Sequence, residues 1–337
     1  MTPDPPFYAD HLNLLIYKDA DGNSHPVRTA ADWEIRRAHI LANMQLVMGP
    51  MPDDSRRVPL DVQTLEETDF PRFIRKKITY AAEPGDRVPA YLFLPRGLSD
   101  RAPAMLCPHQ TTAIGKGQPA GLGDRASLHY AVHLAERGYV TLAPDYPNYG
   151  DYRFDPYANG YVSATMKGIW NHSRAVDLLQ SLPEVDGERI GAIGHSLGGH
   201  NSIYAAVFDT RIRAVISSCG FNAFPKYMGG DLAGWSHKGY MPRIAEVYGK
   251  DPKRMPFDFP EVIAALAPRP FFTNSPVDDD NFEVSGVRDC IEAARPIYAL
   301  LGAADKIEAV YPVSGHDFAD EPRKSAYAWL DRQFHRA

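Results

Sequence analysis

The sequence predicts an α/β fold: a mostly parallel eight-stranded sheet with helices on both faces and a lid insertion. Three observations predict it. From residue 102 onward, short apolar runs alternate with stretches of helical period, the rhythm of a parallel sheet covered on both sides. One of those runs, RIGAIGH (189–195), passes without a spacer into the helical stretch SLGGHNSIYAAVF (196–208). Between Gly220 and Pro260 the rhythm lapses into a stretch rich in aromatics, Gly and Pro, too long for an ordinary connection.

Composition bounds the remainder. A chain of 337 residues can hold one large core or two small ones. Its 44% apolar and 23% charged residues are ordinary for a globular protein. Net charge is −6, from 36 basic and 42 acidic residues. No basic stripe interleaved with aromatics stands out, which argues against a nucleic-acid partner. No apolar run approaches the length of a bilayer span, so no membrane partner is expected. The opening MTPDPPFYADHLNLLIYKD lacks the basic region, apolar core and small-residue cleavage site of a secretory signal. Cys107, Cys219 and Cys290 are far apart and odd in number. They match neither a disulfide framework nor a zinc pattern. The expectation is a cytoplasmic protein with buried reduced thiols, no cofactor and no metal. Oligomeric state is not readable.

The elements follow in order. WEIRRAHILANMQLVMG (33–49) has helical periodicity, and residues 1–71 read as a helical extension packed on the core. A catalytic domain is expected over 72–337. FIRKKITYAA (73–82) and VPAYLFLP (88–95) are strands joined by the turn EPGD. APAMLCPHQ (102–110) is a short buried strand, and ASLHYAVHLAERG (126–138) is a helix closed by glycine. VTLAPDY (140–146) is a strand. GIWNHSRAVDLLQSL (168–182) is a helix ended by Pro183. After the 189–208 unit come the strand IRAVISSCG (212–220) and the lid, about 221–260. PFFTNSP (270–276) is a strand, VRDCIEAARPIYALL (287–301) a helix, IEAVYPV (307–313) the last strand and EPRKSAYAWLDRQF (321–334) the last helix.

Gly194-His195-Ser196-Leu197-Gly198 fits G-x-S-x-G. Its strand–turn–helix setting is the one a nucleophile elbow requires. The two glycines remove side chains where strand and helix would collide. A serine hydroxyl needs a base, and His316 stands in the loop just after the last strand. The acid belongs after the preceding strand, where Asp278, Asp279 and Asp280 stand in PFFTNSPVDDDNF. All three groups fall at the C-terminal ends of strands, in the order serine, acid, histidine.

With these residues in place, the chain resembles serine hydrolases of the α/β-hydrolase fold. Within them it is similar to the acetyl xylan esterase and dienelactone-hydrolase-like group. The resemblance spans about residues 72–335 and is carried by GHSLGG, WNHSRAVDLLQSLPEVDGERIG and SGHDF. The acetyl xylan esterase pattern sets the acid nine residues after the proline that opens its strand. Counting from Pro270 gives Asp279, with Asp280 the alternative. Dienelactone hydrolases use a cysteine where this chain has Ser196. Glucuronoyl esterases share part of the group's features but carry a different elbow pattern. The resemblance also implies an oxyanion hole from the N–H of Leu197 and one from the loop after strand 102–108. There Gln110 takes the position, in Pro108-His109-Gln110-Thr111 where the fold often shows His-Gly.

Other residues receive structural readings. His109 is a loop histidine, His195 packs, Asp145 fixes its loop, and Arg174 pairs with Asp177. In the lid, Phe221, Phe224, Tyr227, Trp235 and Tyr240 are the aromatics placed to meet substrate, Trp235 and Tyr240 foremost, with packing of the lid itself as the alternative role. His237 has no metal-site partners in the sequence. The expected activity is serine carboxylic ester hydrolysis of short acyl esters, with acetylated carbohydrates implied by the resemblance. A peptidase of the same fold and a catalytically silent scaffold are the alternatives.

Overall fold

The computed structural model describes residues 4–335. A short antiparallel ribbon, β1 (Ile16–Lys18) with β2 (Ser24–Pro26), precedes helix α1 (Ala30–Met48). Thr29 starts α1 because its side chain accepts from the Asp32 N–H while the Asp32 carboxylate accepts from the Thr29 N–H. Gly49, at φ 91°, ends it. Trp33, Ile40, Met44, Val47 and Met48 give α1 its buried face.

Three antiparallel strands follow: β3 (Gln63–Asp69), β4 (Phe73–Glu83) and β5 (Asp86–Pro95). The alternating part then runs β6 (Ala102–Leu106), α2 (Tyr130–Glu136), β7 (Val140–Pro144), α3 (Ala164–Ser181), β8 (Val185–His195), α4 (Leu197–Phe208) and β9 (Ile212–Ser218). Two short helices, α5 (Arg243–Glu246) and α6 (Phe259–Ala264), lie in the irregular stretch after β9. The chain closes with β10 (Phe271–Asn274), α7 (Val284–Leu300), β11 (Ile307–Val310) and α8 (Asp320–His335).

The main sheet has the order β11-β10-β9-β8-β6-β7-β5-β4-β3. Among the described residues that is nine strands, one more than the eight expected. The extra strand is β3, QTLEETD, which the sequence conceals because six of its seven side chains are exposed and none alternates in polarity with a buried face. It is an edge strand held by pairing and by cross-strand charge, Glu67 lying opposite Lys76 with a 3.1 Å ion pair. The sheet therefore begins at Gln63, and the boundary expected at residue 72 falls in the β3–β4 turn. Residues 1–71 are thus not only a helical extension.

Strand β6 shows how the core divides. Ala102, Ala104 and Leu106 pack to the face covered by α3, α4 and α7, while Met105 and Cys107 pack to the face covered by α2 and α8. Such alternation with both faces apolar buries the parallel centre of the sheet on both sides. The chain leaves β6 for β7 on one side and returns past it to β8 on the other. The loops after β6 and β8 consequently diverge and open a crevice at the C-terminal edge, the place where open α/β sheets bind ligands.

The 221–260 insertion is packed, not loose. Phe224 meets Phe257 edge-on at 5.7 Å and Phe259 at 5.5 Å, and Trp235 lies 5.3 Å from Phe259. Just beyond it, Glu261 forms a buried ion pair with Arg36 of α1 and accepts from His11 Nδ1 at 2.9 Å. The N-terminal segment thereby ties the insertion down. Among the described residues no helix is long and apolar enough to cross a membrane.

Candidate active site

The turn between β8 and α4 is tight. Ser196 sits at φ 54° and ψ −119°, a conformation that costs a non-glycine residue about 1–3 kcal/mol. Its own N–H donates to the Ser218 carbonyl at 2.8 Å, and its carbonyl accepts from Gly199 at 2.8 Å. Glycine is obligatory on both sides. A Cβ on Gly194 would overlap the Gly198 carbonyl, and one on Gly198 would overlap the Pro108 carbonyl of the β6 loop. The second contact also seats the β6 loop directly against the elbow.

Asp279 and His316 come from the loops after β10 and β11. These loops are paired by Val277 N–H to Pro312 carbonyl (2.9 Å) and Asp278 N–H to Ser314 carbonyl (3.2 Å). His316 Nδ1 is 3.0 and 2.9 Å from the two Asp279 oxygens. A carboxylate accepts only, so Nδ1 carries the proton and Nε2 keeps a lone pair. Burial works to raise the Asp279 pKa, but hydrogen bonding and charge from His316, with the N–H groups of Phe282 and Asn281, outweigh it and hold the carboxyl below its usual range. Asp278 and Asp280 are exposed. His316 is further fixed by Arg125, which donates to its carbonyl at 3.1 Å. Among the described residues Ser196 Oγ forms no hydrogen bond to His316, so that contact is open in the free protein.

The β6 loop is clamped from within. His109 Nδ1 donates to the Gln110 carbonyl at 2.6 Å, and Nε2 accepts from the Tyr146 N–H at 3.0 Å. Burial pushes the His109 pKa down, which suits a neutral ring that donates on one side and accepts on the other. Lys116 braces the same loop through Asp145, with Nζ at 2.7 Å from Oδ2 and its N–H at 2.8 Å from Oδ1. Arg174 pairs with Asp177 away from the site. Among the described residues neither the Leu197 N–H nor the Gln110 N–H donates to another protein group, which leaves both free to meet an oxyanion.

A cavity of about 230 Å³ opens at Ser196. Trp235 and Tyr240 line it, with Tyr227, His237, Thr111 and His200. Phe221 and Phe224 do not; both are buried, Phe224 against Trp235 and Phe221 against Phe259 and Phe271. A larger cavity of about 460 Å³ sits between the β3–β4 turn and α2, but its lining has no serine, threonine or cysteine. Chemistry, not size, marks the site. His200 was not singled out from sequence, though its position did carry a signal: it stands in the first turn of α4, four residues after Ser196. Burial drives its pKa down to about 3, and its Nδ1 has no partner among the described residues. Asn281 and Phe282 also line the cavity and were likewise missed.

One further grouping was not visible in the sequence. A ring nitrogen each of His195 and His316 and the Cys219 sulfur lie within 4.8 Å of one another. Cys219 has the buried free thiol expected of it. His195 is fully buried behind the elbow, 4.8 Å from His316 between ring centres.

Comparison with known proteins places the fold. The model of the alpha/beta hydrolase family matches residues 119–334. YtaP of Bacillus subtilis (strain 168), named as a hydrolase, is 26% identical over 300 residues, 85% of this chain and 96% of that one. Among solved structures, a glucuronoyl esterase from Solibacter usitatus superposes with a TM-score of 0.75 at 19% identity, over 98% of this chain and 99% of that one. A Bacteroides fragilis NCTC 9343 protein, assigned as a candidate acetyl xylan esterase, has a TM-score of 0.67 at 17% identity, over 90% and 89% of the two chains. At such identities the structural likeness is one of fold.

Proposed function

Because the chain belongs to the alpha/beta hydrolase family, we propose that it is a serine carboxylic ester hydrolase acting through Ser196, His316 and Asp279. The observation that carries this reading is the His316–Asp279 hydrogen bond at 2.9 Å, set beside a strained serine elbow by three separate strand ends. Ser196 Oγ attacks the ester carbonyl while His316 Nε2 takes its proton. The Ser196–His316 contact closes as substrate fills the cavity, as hydrogen bonds that are loose in free enzymes do. Asp279 holds the imidazole in the required tautomer and stabilises its positive charge. The N–H groups of Leu197 and Gln110 stabilise the oxyanion, a contribution of about 3–4 kcal/mol per donor in such sites. His316 then gives its proton to the leaving alcohol, and water, activated by the same ring, clears the acyl-enzyme.

The cavity supports a small acyl group on a sugar. It is too small for a long aliphatic chain, and it mixes the rings of Trp235 and Tyr240 with hydrogen-bonding groups on Thr111, His200 and Asn281. Ring faces suit the apolar side of a sugar, and the polar groups suit its hydroxyls. The 221–260 insertion serves as the roof of this cavity. A second reading, an ester whose acyl part is a sugar acid, draws on the likeness to the Solibacter glucuronoyl esterase. The two differ in which side of the ester holds the sugar. Acetylated xylo-oligosaccharides and a methyl glucuronate glycoside, each run against Ser196→Ala, separate them. Acetate release supports the first reading and methanol release the second. Cleavage of neither, with p-nitrophenyl acetate also untouched, overturns both.

A further inference from the structure

We propose that His195, Cys219 and His316 form a binding site for one soft divalent cation of the zinc class, and that occupancy turns the hydrolase off by taking a ring nitrogen of His316. The inhibitory half of this rests on the esterase reading; the binding half does not. Donor atoms no more than 4.8 Å apart leave a central ion at most about 2.8 Å from each. Bonds from zinc to nitrogen and sulfur are about 2.0–2.3 Å, so each side chain has about 0.6 Å to travel. One thiolate and two imidazoles are the ligand types such an ion selects.

The surroundings are those of a built site. His195 Nε2 is fully buried and has no partner among the described residues. Its Nδ1 lies 3.0 Å from Ser218 Oγ. Asn274 Nδ2 donates to the same Ser218 oxygen at 2.9 Å, and the Ser218 hydroxyl is 3.8 Å from Cys219 Sγ. With Nδ1–H donating to Ser218 and the Ser218 hydroxyl turned to sulfur, Nε2 presents a bare lone pair and the sulfur receives a hydrogen bond. Asn274 Nδ2 stands 3.9 Å from that sulfur as a second donor. A histidine whose far ring nitrogen donates to a fixed oxygen is oriented for a metal. In the metal-free protein the Cys219 thiol donates to the Asp317 carbonyl at 3.5 Å, and a bound cation takes the place of that proton. On binding, the zinc–sulfur bond forms and the Cys219 proton leaves to the buffer. The fourth position falls to solvent, because the His316 side chain is 21% exposed while Cys219 and His195 are closed in.

The mechanism does not use Cys219 or His195, so the test can separate binding from catalysis. Cadmium titrated into the full chain is followed by the ultraviolet cadmium–thiolate absorption, and zinc is titrated during p-nitrophenyl acetate hydrolysis. The expected result is one cadmium per chain with a thiolate band, in the wild type and in Ser196→Ala alike. Cys219→Ser and Cys219→Ala lose the band. His195→Gln weakens binding at least tenfold. The zinc concentration that halves activity rises at least tenfold in Cys219→Ser, whose metal-free activity matches the wild type. A band that is absent in the wild type or persists in Cys219→Ser overturns the site. Equal zinc inhibition of wild type and Cys219→Ser overturns the inhibitory role. Should the chain cleave no ester, cadmium binding still decides the site, and the esterase reading falls by itself.

Discussion

At the sheet edge, Ser196, Asp279 and His316 each sit within a few residues of a strand end, Ser196 held by its N–H to the Ser218 carbonyl and the loops of Asp279 and His316 held to each other by backbone hydrogen bonds. The insertion above them is held differently. Its end is tied by Glu261 to Arg36, 225 residues away, and to His11, 250 residues away. The proposed triad is held by local geometry at the ends of sheet strands, whereas the 221–260 insertion is tied to the N-terminal segment by a buried ion pair. The two should fail separately. Damage at the edge should abolish turnover and spare stability; damage at the tie should cost stability first.

The largest expected effect lies at the edge. Ser196→Ala should lower ester turnover by about 10⁴-fold or more, and Asp279→Asn by a comparable factor through loss of the correct His316 tautomer. Ser196→Ala should unfold at the wild-type denaturant midpoint. Turnover surviving in Ser196→Ala above a hundredth of the wild-type rate would assign the nucleophile elsewhere.

Breaking the tie comes next. Glu261→Gln leaves the Arg36 guanidinium fully buried against a neutral amide. Removing one partner of a buried pair costs about 3–5 kcal/mol, and urea unfolding should show a loss of that size. The rate at saturating substrate should fall far less than in the edge variants. A change in stability below about 0.5 kcal/mol would mean that the aromatic cluster alone holds the insertion.

The same contrast explains what the sequence made legible. The elbow could be read because glycines at fixed spacing, a buried strand and a helix are neighbours in the chain. His316 and the aspartate run could be read because each follows a strand. The choice of Asp279 over Asp280 and Asp278 came only from the spacing that the family resemblance implies, because which carboxylate meets His316 depends on how the loop turns. β3 was missed because an exposed, charged edge strand has no apolar period. Arg36 and Glu261 were missed because nothing local marks a partner 225 residues away. Cys219 and His195 read as packing residues, since their closeness to His316 exists only once β8, β9 and the last loop are side by side.

A smaller effect sharpens the picture of the roof. Trp235 Nε1 is buried and has no partner among the described residues, and its ring lines the cavity. If it donates to a sugar hydroxyl, Trp235→Phe should raise KM on an acetylated sugar about tenfold, near 1.4 kcal/mol, and leave p-nitrophenyl acetate almost unchanged. Equal changes on both substrates would reduce Trp235 to packing.

The smallest expected effect concerns pH at the tie. Asp258 caps α6 from a fully buried position. Burial raises its pKa from 3.8 to about 7, against the lowering pull of the Phe224 N–H, His11 and the Phe259 N–H. An acid with a raised pKa binds more protons folded than unfolded, so stability falls as pH climbs from about 4 to about 7. His11 acts in the same direction. Burial would lower its pKa, but the hydrogen bond and charge of Glu261 outweigh that and raise it. Its stabilisation is complete below its unfolded value of 6.5 and is lost as pH rises through the folded one. The insertion should therefore be held less firmly at pH 8 than at pH 6, by about 1 kcal/mol from Asp258. Asp258→Asn keeps an acceptor for the cap and cannot ionise, so it should remove most of that slope while the Ser196 edge keeps its activity. Unfolding midpoints that match at the two pH values would move the pH sensitivity away from the tie, and an unchanged slope in Asp258→Asn would assign it to the His11–Glu261 pair instead.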